Sequence, residues 1–309
     1  MEHRQLGHNG PNVSVIGLGC NQLGLDATAP GRKADHRLLE RALELGINHF
    51  DTADSYTHGD SERILGEFRR RHPEVLVATK VGFFYRPTNP VQRLLSPAAR
   101  AIARNSPERR RRLIAWERSR LSPAFSPSYI ARAVENSLRR LATDCLDVLY
   151  LHSPPASTIE QGDAFDIIKR LRDAGKIRYL GFSIRSGQSY PLDALAQVNF
   201  QAIQLPLSPG KSTDADVLLP WARAHGIGTV VNMPFDKGIT LTPRSGNWGL
   251  LANGSSRSLA QAAMRYALQN PNVTCTIPGT SKISHLEENA AAANSPPLTA
   301  QEEAHLVGG

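Results

Sequence analysis

The stretch Leu146-Asp-Val-Leu-Tyr-Leu-His152 is an almost continuous apolar run that ends in a polar side chain. Strands that are apolar on both faces are typical of parallel sheets covered by helices. Similar runs recur along the chain with helical patterns between them, and together they make eight, over residues 13–19, 47–51, 75–80, 146–152, 177–183, 202–207, 228–233 and 273–278. Eight strands that alternate with helices favour a closed (β/α)8 barrel, the TIM-barrel architecture, over an open sheet. No Gly-x-Gly-x-x-Gly turn follows the first run, which argues against a doubly wound dinucleotide-binding fold.

Length and composition agree with one α/β domain over residues 1–309. About 250 residues is typical of a barrel of this kind, and the hydrophobic fraction of 40% is ordinary for a globular chain. The turn-forming segment 5–13 predicts an N-terminal hairpin that plugs the bottom of the barrel. The clearest helical patterns cover residues 34–45, 62–71, 129–141, 165–174 and 259–268.

The cysteines and the distribution of apolar residues bear on the compartment. Three cysteines, Cys20, Cys145 and Cys275, lie far apart and form no CxxC pair, so we expect neither a disulfide framework nor a metal site. The chain begins with polar residues, and no run of about eighteen apolar residues occurs in it. These features predict a cytoplasmic protein without a membrane span.

The net positive charge of the chain is concentrated in one segment. The net charge is +8, and residues 83–129 contain ten arginines against two glutamates. This segment interrupts the alternation of strands and helices after the third run, where connections usually have about 2–6 residues. We interpret it as an insertion, helical around residues 97–104 and 108–120. Its few aromatic residues are not interleaved with the arginines, so it does not favour nucleic-acid binding.

Four polar residues occupy the positions where a barrel carries its active site. Active sites of (β/α)8 barrels form at the carboxyl ends of the strands. Asp51 ends the second run, Lys80 the third and His152 the fourth, and Tyr56 lies five residues beyond Asp51. Each residue alone is an ordinary loop or strand-end residue, but together they form a candidate catalytic set.

The motifs around these residues resemble those of the aldo-keto reductase family. Five segments carry the resemblance in the order of the family, over residues 51–66, 78–82, 137–147, 175–183 and 277–289. The first begins Asp51-Thr-Ala-Asp-Ser-Tyr56, and the last begins Ile277-Pro-Gly-Thr-Ser-Lys282. The resemblance covers essentially the whole chain except the insertion, and it implies a reductase that uses NADP(H) and a small-molecule carbonyl substrate.

The resemblance also implies a role for each member of the candidate catalytic set. Reduction of a carbonyl leaves an alkoxide, which needs a proton donor, and Tyr56 is the implied acid. A phenol with a pKa of about 10 is a weak acid at neutral pH unless a positive charge stabilises its phenolate. Lys80 is the implied source of that charge, and Asp51 keeps Lys80 protonated and oriented. His152 is expected to position the substrate oxygen.

Residues at the ends of later runs are implied to bind the dinucleotide. Ser183 and Gln204 match positions that hold the nicotinamide carboxamide, whereas Asn232 stands where an aromatic residue often stacks on the ring. The remaining implied contacts are Gly279, Thr280, Ser281 and Lys282 for the adenosine phosphate and Glu288 and Asn289 for the adenine. A helix N-terminus near Ser284 would favour an anion there. Taken without the resemblance, Pro-Gly-Thr-Ser is only a turn followed by a helix cap.

The insertion begins directly after the third strand, so we expect its near end to shape the substrate pocket. The residues concerned are Phe83, Phe84, Tyr85, Arg86 and Trp116, which predict a bulky or negatively charged substrate. The alternative is a solvated pair of basic helices outside the barrel. Two other functions stay open for the chain: a catalytically quiet NADP-binding regulatory barrel, and a binder of acidic partners through the insertion. The sequence does not indicate an oligomeric state.

Overall fold

Eight parallel strands form the central sheet of the structure, a computed structural model that describes residues 1–85, 112, 115, 119–187, 190–209, 213–236 and 257–308. In spatial order they are β3, β4, β5, β8, β9, β10, β11 and β12. Their bounds are Leu18–Gly19, His49–Asp51, Leu76–Val81, Leu146–His152, Ile177–Ser183, Ala202–Pro206, Gly228–Asn232 and Cys275–Thr276. The two edge strands meet through parallel bridges from Ile16 to Thr276 and from Gly19 to Gly279, so the sheet curls into a barrel. The predicted (β/α)8 fold is confirmed.

The predicted hairpin is present at the N-terminus. Strand β1 (His3–Gln5) pairs antiparallel with β2 (Asn12–Ser14). Leu6 and Val13 are fully buried against side chains that point into the barrel, so the hairpin closes its lower end. The first predicted strand, residues 13–19, was therefore two elements: its first residues belong to the hairpin and only β3 belongs to the barrel. An apolar run gives no sign of this break, because both pieces are buried.

Helices cover the outside of the sheet. They are α1 (Ala29–Glu44), α2 (Asp60–Arg69), α3 (Pro127–Leu141), α4 (Ala156–Gln161), α5 (Asp163–Asp173), α6 (Leu192–Ala196), α7 (Thr213–Ala224), α8 (Leu259–Leu268), α9 (Ile283–Ala291) and α10 (Ala300–Gly308). Helix α8 matches the predicted bounds, because Ser258 and Gln261 form a capping box at its start. Helix α1 begins five residues before the predicted start, since Thr28 caps it and a proline occupies its first turn. None of the helices in the described ranges is long and apolar enough to span a membrane.

The base of the predicted insertion is a two-stranded antiparallel sheet. Strand β6 (Phe83–Tyr85) follows β5 after a single glycine and pairs with β7 (Leu121–Pro123). Gly82 has a φ of 140°, and a Cβ on it would lie 2.6 Å from the ring of Phe125. A glycine is thus required where the chain leaves the barrel. The helices predicted at 97–104 and 108–120 lie almost wholly outside the described residues.

Candidate active site

Parallel register brings the ends of the second, third and fourth barrel strands to one rim. Asp51 of β4 pairs with Ala78 of β5, two residues before Lys80. Lys80 in turn pairs with Tyr150 of β8, two residues before His152. Side chains two residues apart on a strand share a face, so the three polar side chains project together above the barrel interior.

Lys80 is a buried ammonium with several hydrogen-bond acceptors. Its Nζ donates to Asp51 Oδ1 at 2.5 Å and to the carbonyl oxygen of Thr52 at 2.9 Å, and its side chain is 1% exposed. Burial acts to lower the pKa of Lys80, but the charge of Asp51, its hydrogen bond, and Tyr56 outweigh burial and raise that pKa above its ordinary value. The lysine is therefore held in its charged form.

Tyr56 lies beside this ammonium on the loop that follows β4. The Lys80 Nζ is 5.1 Å from the centroid of the Tyr56 ring, and a side-chain hydrogen bond joins the two residues. The chain after Tyr56 passes through left-handed backbone conformations, with φ of 48° at Thr57 and 58° at His58. Such conformations cost about 1–3 kcal/mol each in a residue other than glycine. The Thr57 hydroxyl stabilises the turn by donating to the carbonyl of Leu23 at 2.8 Å.

His152 faces the same space as Tyr56. Their rings lie edge to face with centroids 6.2 Å apart, and the ring of Phe83 packs edge-on against His152 at 4.9 Å. The Nδ1 atom of His152 is buried and has no hydrogen-bond partner in the described part of the chain. Burial, followed by the charge of Lys80, lowers the pKa of His152 to about 3. The imidazole is thus neutral at any working pH and can donate one hydrogen bond to a ligand.

The predicted carboxamide-binding residues are connected to Asp51. Gln204 donates from Nε2 to Asp51 Oδ2 at 2.8 Å, and its Oε1 accepts from Ser183 Oγ at 3.1 Å and from Asn232 Nδ2 at 3.2 Å. Because an ionised carboxylate only accepts hydrogen bonds, it fixes the orientation of Gln204 and hence that of Asn232. This orientation leaves Asn232 Oδ1 buried and without a hydrogen-bond partner among the residues that the structure describes. An acceptor is therefore left for an amide N–H group at this point.

The predicted phosphate and adenine contacts lie on the loop and helix after β12. Gly279 bridges Gly19, and a Cβ on it would lie 2.8 Å from Asn21 Oδ1, so only a glycine permits this close approach. The Thr280 hydroxyl accepts from the backbone N–H of Lys282 at 3.1 Å. Lys282 is the N-cap of α9, and its side chain is exposed together with that of Ser281. Further along α9, Glu288 is partly exposed and Asn289 is buried.

The structure separates the predicted substrate residues. Phe83 contacts His152, whereas Phe84 is 39% exposed and its ring packs against Tyr129, 6.2 Å between centroids. The side chain of Tyr85 and all of Arg86 and Trp116 lie outside the described residues. Of these residues, Phe83 alone is brought to the catalytic set in the described part of the chain.

Two features of the site are not revealed by the sequence pattern. One is the hydrogen bond between Gln204 and Asp51, which joins strands far apart in the chain. The other is Asp54, whose pKa is raised well above its ordinary value by burial and then by Glu62. The hydroxyl of Tyr129 lies 3.4 Å from Asp54 Oδ2 and donates to the carbonyl of Phe83 at 2.7 Å. Asp54 lies within the recognisable motif, but nothing in the pattern distinguishes it from a solvated loop aspartate.

Comparison with known proteins identifies the class of protein to which this fold and site belong. The family model described as the aldo/keto reductase family matches residues 15–307. The chain belongs to this family of oxidoreductases, and the resemblance drawn from the motifs is confirmed.

Individual relatives agree with that assignment. An uncharacterized oxidoreductase of Bacillus subtilis, YqkF, is 29% identical, with 98% of this chain and 94% of that protein aligned. The holo form of aldo-keto reductase AKR11C1 from Bacillus halodurans superposes with a TM-score of 0.76 at 27% identity, covering 99% of this chain and 95% of that one. An aldo-keto reductase from Klebsiella pneumoniae, solved in complex with NADPH, gives a TM-score of 0.74 at 23% identity over 99% and 94% of the two chains.

Proposed function

We propose that the chain is an NADPH-dependent reductase that converts an aldehyde or ketone to the corresponding alcohol, with Tyr56 as the proton donor. The observation that carries the proposal is the buried Lys80 ammonium, bound to Asp51 and in contact with Tyr56. Family membership and the NADPH complex of the Klebsiella pneumoniae relative support the choice of cofactor. A catalytically quiet regulatory barrel has no need of this arrangement.

The chain offers a fitting site for a nicotinamide dinucleotide. The unpartnered Asn232 Oδ1 and the hydroxyl of Ser183 provide acceptors for the carboxamide. The exposed Lys282 at the start of α9 provides a charge for the adenosine phosphate, and a helix N-terminus favours an anion in the same place. Gly279, Thr280 and Ser281 line the approach to it, and Glu288 and Asn289 lie further along α9, where the adenine would be held.

Each catalytic side chain has a task that follows from its surroundings. When bound, the reduced nicotinamide supplies the hydride. Tyr56 gives its hydroxyl proton to the developing alkoxide oxygen, and the adjacent Lys80 ammonium stabilises the phenolate that remains. Asp51 holds Lys80 charged and in place. His152, neutral because burial lowers its pKa to about 3, orients the carbonyl oxygen by donating a hydrogen bond.

The wall beside His152 suggests the shape of the substrate. Phe83 supplies an apolar surface next to the reacting oxygen. We include in the same proposal Arg86 and Trp116 of the Arg-rich segment, which follows Phe83 in the sequence. Together with Phe83, these residues favour a bulky or negatively charged carbonyl compound. A panel of aldehydes and ketones with and without a carboxylate tests this preference in the assay that follows.

The experiment that tests the function is NADPH oxidation with that panel, in the wild type and in Tyr56→Phe. We expect the rate to fall about 10²–10⁴-fold, the usual loss for a general acid, with the dissociation constant for NADPH nearly unchanged. Tyr266→Phe removes a hydroxyl from helix α8 and serves as the control, with wild-type rates expected. Turnover of Tyr56→Phe at the wild-type rate would show that the assigned mechanism is wrong.

A further inference from the structure

A second candidate binding site lies at the opposite end of the barrel from Tyr56. A cleft of about 760 Å³ opens there between the N-terminal hairpin and the carboxyl ends of α7 and α8. Its walls include the first residue of β11 and the residues just before β12, which places it below the sheet. Sites for small molecules have volumes of about 300–1,000 Å³. The size of the cleft is therefore that of a ligand site.

Three arginines from three different elements line this cleft. Arg4 comes from β1, Arg223 from the last turn of α7 and Arg265 from α8. Among the described residues that line it there is no aspartate or glutamate. Outside the insertion the chain is nearly balanced in charge, so this concentration of one sign is local.

Only part of the hydrogen-bonding capacity of these arginines is used. Arg4 donates to Glu2 at 2.7 Å and to the carbonyl of Val273 at 2.9 Å, and Arg223 donates to the carbonyl of Pro271 at 2.9 Å. A guanidinium has five N–H donors, so both retain donors after these bonds. Their contacts with backbone carbonyls also hold the two guanidinium groups against the wall of the cleft.

Arg265 is the member of the set that points most directly to a ligand. Within the described residues its buried Nε has no hydrogen-bond partner, and its guanidinium forms no ion pair. Burial, and then the charge of Arg4, lower the pKa of Arg265, while the charge of Glu2 acts in the opposite direction. A guanidinium N–H group that is withdrawn from water without an acceptor is costly to the fold. An anion in the cleft would remove that cost and would be held by charge-assisted hydrogen bonds.

We propose that Arg4, Arg223 and Arg265 form a binding site for a small multivalent oxyanion, a molecule with two or more phosphate or carboxylate groups. Planar guanidinium groups recognise both kinds of oxyanion through paired hydrogen bonds. Ile227, Leu268 and Leu298 provide an apolar wall for the remainder of such a molecule. Binding ties the N-terminal hairpin to helices α7 and α8. The site is separate from the catalytic rim and does not depend on the reaction proposed above.

Isothermal titration calorimetry with pyrophosphate and with citrate tests the site. The titration uses protein saturated with NADP+, and it is repeated in the Lys282→Ala variant, which lacks the other candidate phosphate contact. We expect one anion to bind per chain, with an affinity that survives Lys282→Ala and falls about tenfold or more in Arg265→Gln. Tighter binding of pyrophosphate would assign the site to phosphates, and tighter binding of citrate to polycarboxylates.

Arg172→Gln is the matched control. Arg172 lies in the last turn of α5 and donates to the carbonyl of Asn199 at 3.0 Å, much as Arg223 does to Pro271, but it does not line the cleft. Its loss should change the affinity by less than about twofold, since it removes the same charge outside the site. If Arg265→Gln does not fold, Arg223→Gln replaces it. The proposal is overturned if neither anion binds saturably or if binding depends on Lys282. It is also overturned if the control Arg172→Gln weakens binding as much as the variant of the cleft arginine does.

Discussion

The two ends of the barrel treat positive charge in opposite ways. At the end that we propose to be catalytic, Lys80 is 1% exposed and is bound to Asp51 and to a backbone carbonyl. At the other end, Arg265 lies beside Arg4 and Arg223 and has a buried Nε without a partner in the described ranges. A charge that the protein itself neutralises needs no ligand to balance it. A charge that is left without a counter-ion is set for a ligand that brings one.

The largest effect that separates the two ends should come from Asp51→Asn. This change leaves the Lys80 ammonium buried beside a neutral amide, and removal of one partner of a buried pair costs about 3–5 kcal/mol. We expect the free energy of unfolding to fall by that amount in urea titrations. Asp60→Asn is the control, because its partner Arg63 is 51% exposed and such pairs contribute less than about 1 kcal/mol. Equal losses in the two variants would mean that Lys80 is not stabilised by Asp51.

The next largest effect concerns Lys282, an exposed charge at the proposed catalytic rim. We expect it, like the arginines of the lower cleft, to be neutralised by a bound ligand. Lys282→Ala should weaken NADPH binding by about 1.5–3 kcal/mol, the contribution of a charge-assisted contact, and leave NADH binding nearly unchanged. Fluorescence titration with both dinucleotides measures the difference, and Lys33→Ala, an exposed lysine of α1, is the control. Equal affinity of the wild type for NADPH and NADH would remove Lys282 from the phosphate site.

The sequence brings together the residues of the proposed catalytic end but not those of the lower cleft, and the reason is physical. Asp51, Lys80 and His152 each end an apolar run, so barrel geometry alone brings them together. The hydrogen bond from Gln204 to Asp51 joins strands that are far apart in the chain, so no local sequence pattern predicts it. Arg265 looks like any arginine of an amphipathic helix. Its isolation depends on which residues the hairpin and the neighbouring helices place around it.

Between the two ends lies a buried histidine whose charge state can be followed by pH. His49 lies two residues before Asp51, and burial is the main cause that lowers its pKa from 6.5 to about 4. As the pH falls, the His49 imidazole of the unfolded chain therefore binds a proton before that of the folded chain does. The stability that comes from keeping His49 neutral is fully present above about pH 6.5 and is lost as the pH falls toward 4. When the pH is lowered from 7 to 5, we expect His49 to decrease the free energy of unfolding by about 1–2 kcal/mol.

His49→Gln tests this expectation. The variant should lose less stability than the wild type over the same pH interval, while His225→Gln, at an exposed position on the lower side, should lose the same amount as the wild type. Urea titrations at the two pH values give the difference. A wild-type loss that His49→Gln leaves unchanged would mean that the histidine is not kept neutral by the barrel interior.

The smallest effect is expected from removing the unmatched charge itself. In chloride buffer without a multivalent anion, Arg265→Gln should change the free energy of unfolding by less than about 1 kcal/mol, since no ion pair with a described residue is lost and the buried Nε has no acceptor to lose. Arg140→Gln provides the contrast, because Arg140 donates to Glu62, a fully buried carboxylate, at 2.5 Å. Its loss should cost about 3–5 kcal/mol. If Arg265→Gln were as destabilising as Arg140→Gln, the protein itself would already satisfy Arg265, and the lower cleft would have no charge left for a ligand to neutralise.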